Sequence, residues 1–68
     1  MIIWCKLGTH GSQTMKVLRK RTSPTEGDIF EVVPSTVKAE TAGVKPIRVR
    51  CTEIKKIDNI PLYYLEHV

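Results

Sequence analysis

The chain has 68 residues, 41% of them hydrophobic and 26% charged, with a formal net charge of +4 and a pI near 9.3. These values exclude an intrinsically disordered chain, which would be poorer in Ile, Val, Leu and Tyr, and they leave room for one thin core rather than a deep substrate pocket. The positive balance tilts the choice of partner toward nucleic acid, an anionic membrane surface or an acidic protein patch.

At the start of the chain, the apolar run of Met1, Ile2, Ile3, Trp4 and Cys5 is broken by Lys6 and Gly8. It is too short for a signal-peptide core or a membrane span, so the expected location is the cytoplasm, with no membrane partner. Ile2–Leu7 is predicted as a first strand, joined by the loop 8–13 to a second at 15–20. Lys16 and Lys20 would share one face of that second strand, within a basic run of Lys16, Arg19, Lys20 and Arg21. Residues 22–28, with Pro24 and Gly27, read as a turn. Glu26, Asp28 and Glu31 form an acidic patch there, and a third strand follows at 29–33.

A helix competes at this point. Ser23, Pro24 and Glu26 fit an N-cap, a first-turn proline and a capping-box glutamate, with Ile29, Phe30 and Val33 at near-helical spacing. Gly27 and the adjacent Val32 and Val33 oppose that helix. The run from Gly27 to Val32 resembles the start of a strand in SH3-like barrels, an architectural likeness. After a turn at 34–35, a short helix is expected over 36–42, capped by Ser35 and ended by Gly43.

The clearest element is the strand 47–51, where Ile47, Val49 and Cys51 alternate with Arg48 and Arg50. The alternation slips at Thr52 and Glu53, which predicts a bulge or a sharp bend in a strongly curved sheet. Residues 54–57 and 62–65 then flank a turn in which Asn59 is the candidate for positive φ. Tyr63 and Tyr64 must point to opposite faces. The expected fold is therefore all-β, or β-rich with one short helical turn, in a single domain over 1–68. Five strands would make a strongly bent sheet or SH3-like barrel, whose closure removes exposed edges.

Catalytic and metal chemistry have little support. Cys5, His10, Cys51 and His67 are the soft ligands, yet no two are spaced as one turn of a zinc site requires. Both cysteines sit in apolar runs and are expected buried and reduced. No base or orienting group accompanies them, and the carboxylates Glu53, Asp58 and Glu66 belong to no motif. No cofactor, metal or enzymatic activity is expected.

The candidate binding set is cationic: Lys16, Arg19, Lys20, Arg21, Lys45, Arg48, Arg50, Lys55 and Lys56. Arg48 and Arg50 would project together, roughly 7 Å apart along the strand, close to the spacing of successive phosphates. Core packing would take Trp4, Phe30 and one tyrosine, leaving one tyrosine at the surface. Backbone contact with nucleic acid is then favoured over base stacking. The competing function is a protein-interaction module that docks an acidic or strand-accepting partner, such as an inhibitor or adaptor of the kind compact viral genomes encode. A second copy of the chain is a further candidate partner, because a thin core gains from one.

Overall fold

The computed structural model describes residues 1–9, 11–35 and 45–68. It contains five strands, β1 (Ile2–Leu7), β2 (Gln13–Leu18), β3 (Ile29–Pro34), β4 (Ile47–Ile57) and β5 (Ile60–His67), and no helix among the described residues. Each strand pairs antiparallel with its predecessor, and β5 returns to β1 to close the sheet into a ring. A meander of five strands reverses direction an even number of times, so its first and last members run the same way. The closing β1–β5 ladder is accordingly parallel, from Trp4↔Leu62 to Leu7↔Leu65.

Period-two alternation fills the ring. Ile3, Cys5 and Leu7 of β1, Met15 and Val17 of β2, Phe30 and Val32 of β3, Val49 and Cys51 of β4, and Tyr63 and Leu65 of β5 form one buried cluster. Ile47 and Ile54 pack against it. The bulge falls where the pattern slips, between Cys51↔Leu65 and Glu53↔Tyr64. Side chains hold it: Thr52 Oγ1 donates to the Tyr64 carbonyl at 3.2 Å, and Cys51 Sγ donates to the Glu53 carbonyl at 3.7 Å. Downstream of the slip, Ile54 is turned back to the interior opposite Tyr63.

Two expectations are corrected, and one expected strand prevails over its alternative. The second strand lies two residues earlier than 15–20, because Gln13 and Thr14 pair with Cys5 and Trp4 while Arg19, at φ 55°, turns out of the ladder. Lys20 therefore leaves the strand face of Lys16. The expected third strand at 29–33 is present as β3 in place of the competing helix, and its ladders with β2 and β4 use the backbone groups a helix would need. Trp4 is outside the core: with Ile3 and Cys5 inward, the pleat turns Trp4 outward, where it is half-buried. The expected helix at 36–42 lies outside the described residues.

One proline shapes the seam. Asp58 and Asn59 both have positive φ, 51° and 67°, which is the two-residue turn that matches strand twist. The flanking pair Ile57↔Ile60 exchanges hydrogen bonds, so the next pair, Lys56↔Pro61, directs its backbone groups away from β4. The Pro61 nitrogen thus faces β1 with no hydrogen to donate. The β1–β5 ladder stops at Leu62, and Ile2 and Ile3 stand across a cleft from Ile60 and Pro61.

Candidate nucleic-acid interface

The sheet register distributes the predicted basic residues over several places. Lys16 is exposed on β2, with Ile2 on one side and Val33 on the other. Arg19, Lys20 and Arg48 line one open cleft of about 440 Å³, together with Phe30 and Glu31. Arg48 lies directly opposite Glu31, and Lys20 pairs with Asp28 at 3.0 Å. Arg50 is opposite Glu66 and bonds it, Nη1 to Oε1 at 3.2 Å. Arg21 is exposed in the β2–β3 loop, and Lys45 is exposed just ahead of β4. Lys55 and Lys56 are at the far end of β4 from Arg48, about 23 and 26 Å of strand away. The register thus interleaves acids with Arg48, Arg50 and Lys20.

A different grouping forms on the outer face of β1, β5 and β4. Tyr64 faces outward, as the pleat requires once Tyr63 is in the core. Lys6 stands opposite it on β1, and Lys55 reaches it from β4. The two ammonium nitrogens lie 5.8 and 5.2 Å from the Tyr64 ring centroid. Such contacts are worth about 0.5–1 kcal/mol each at exposed sites and hold the lysines near one point. Among the described residues, neither lysine has a carboxylate within ion-pair distance, although Glu53 is the cross-strand neighbour of Tyr64.

Lys6 and Trp4 escaped the sequence reading as surface groups. The signal was present, since alternation through Ile3, Cys5 and Leu7 puts Trp4 and Lys6 on the outer face.

The titratable interior is quiet. Burial pushes the Cys5 thiol up to about 11, and burial also raises Cys51, whose causes further include Glu26 and Asp28. Neither sulfur is a thiolate near neutrality, so neither is a ready nucleophile. Asp28 is held below the usual carboxylate range by the Thr25 backbone N–H, then by Lys20 and the Thr25 hydroxyl. It thereby ties the β2–β3 loop. No group of three or more His, Cys, Asp or Glu that could hold a metal is present among the described residues, which leave out His10. No helix among them is long and apolar enough to cross a membrane.

Comparison of the chain with protein-family models, with curated proteins and with solved structures returns no match.

Proposed function

We propose that this chain is a small cytoplasmic binding module, without catalytic activity, that contacts the phosphate backbone of nucleic acid. The observation that carries the reading is the outer-face cluster of Lys6, Tyr64 and Lys55. Two cations without carboxylate partners among the described residues converge on one aromatic ring. A phosphate bridging Lys6 and Lys55 would relieve the repulsion between them, and like charges so placed favour an anionic ligand. Because both lysines already lie over the tyrosine ring, backbone contact fits better than a stacked base. The basic cleft of Arg19, Lys20 and Arg48 would extend the positive field without supplying the centre, since Glu31 and Asp28 offset it.

Titrating a fluorescent DNA duplex of mixed sequence against the protein tests this. Lys6→Ala with Lys55→Ala should weaken binding at least about tenfold, on the order of 1.4 kcal/mol, with every sequence affected alike. Arg50→Ala, which removes a group already paired with Glu66, should cost less. Equal affinity of wild type and the double variant would contradict the reading.

A further inference from the structure

The seam opened by Pro61 is a groove of about 370 Å³. Its walls are Met1, Ile2 and Trp4 on the β1 side and Ile60 and Pro61 on the β5 side. Ile2 is 63% exposed and Ile60 54%, a large apolar exposure for so small a protein. The groove has a structural cause, because the missing N–H of Pro61 prevents β1 and β5 from zipping together over it. The same proline blunts the strand edge, so an added β-strand is disfavoured and side-chain insertion is the fitting mode.

Charge at the rim selects the occupant. Lys16 on β2 is the cross-strand neighbour of Ile2, and Lys56 on β4 of Pro61, so in strand order an exposed cation flanks each wall of the apolar groove without lining it. Among the described residues, no carboxylate lines it. We propose that this groove is a docking site for a protein segment in which apolar side chains are flanked by acidic residues. The apolar side chains fill the gap between Ile2 and Ile60, and the flanking carboxylates meet Lys16 and Lys56. This surface is separate in its residues from the Lys6, Tyr64 and Lys55 cluster, and the inference does not rest on nucleic-acid binding.

The test is titration of isotope-labelled protein with the capped peptide Glu-Asp-Leu-Phe-Asp-Glu, read by NMR, beside a control with lysines in place of the four acids. The acidic peptide should produce saturable shifts at Ile2, Ile60 and the Trp4 indole, and the lysine peptide should not. Lys16→Glu with Lys56→Glu, both exposed positions, should weaken the acidic peptide at least about tenfold and admit the lysine peptide instead. Ile60→Ser should weaken it without changing charge preference. Lys6→Ala with Lys55→Ala should leave it unchanged, which separates this site from the nucleic-acid surface. Absence of saturable shifts, equal binding of both peptides, or shifts centred on Tyr64 would overturn the proposal. Groove shifts that depend on protein concentration without peptide would also overturn it, by assigning the groove to a second copy.

Discussion

Single side chains in this protein have separable duties. Asp28 accepts hydrogen bonds from the Thr25 backbone N–H at 2.9 Å and the Thr25 hydroxyl at 3.0 Å, and its own N–H donates to the Thr25 carbonyl at 3.0 Å. A carboxyl whose native pKa lies below its unfolded value stabilises the fold above the unfolded value and loses that contribution as pH falls through the native one. Thermal stability should therefore drop in acid, below the ordinary aspartate range, and Asp28→Asn should flatten that part of the melting-temperature profile. An unchanged profile in the variant would place the acid sensitivity elsewhere. With Cys5 at about 11 and fully buried, iodoacetamide near pH 8 should leave the native thiols unmodified and alkylate both quickly in denaturant. Val49, also fully buried, should not accept Asp: an unpaired charge there costs several kcal/mol, and the variant should lack a cooperative melt.

Among the elements, the β4–β5 hairpin carries the most information. Its turn places two non-glycine residues at positive φ, a conformation costing an ordinary side chain about 1–2 kcal/mol and Asn or Asp less. Asn59→Gly should thus be neutral or mildly stabilising, whereas Asp58→Val with Asn59→Val should lower the unfolding free energy by about 2 kcal/mol in denaturant titration. This hairpin was legible because Asn59, the slip at Thr52 and the strict alternation of 47–51 are local signals. The second strand was less so. Thr14 and Gln13 have no apolar pattern of their own, and only the pairing with Trp4 and Cys5 draws them into the ladder. Tertiary pairing, invisible to a local reading, decides such boundaries.

For the molecule as a whole, closure explains both the strengths and the gaps of the sequence reading. All-β architecture and five strands followed from turn spacing and period two, and the ring bears them out. The arrangement of surface charge did not follow, because it depends on which strands are neighbours. Alternation correctly put Arg48 and Arg50 on one face, but register sets Glu31 beside the first and Glu66 beside the second. The same register brings Lys6, near the start of the chain, beside Tyr64 and Lys55, near its end. A parallel β1–β5 seam is what makes that cluster, and no local motif announces it.

Whether Lys6 and Lys55 meet phosphate is read from the salt dependence of duplex binding, followed by fluorescence anisotropy. Each neutralised duplex phosphate contributes about 0.9 to the slope of log affinity against log salt. If Lys6 and Lys55 each neutralise one, replacing both by Ala should reduce the slope by about 1.8 while the melting temperature stays near that of wild type. A wild-type protein that binds no duplex at low salt, or a double variant with an unchanged slope, would rule out phosphate binding by these two lysines.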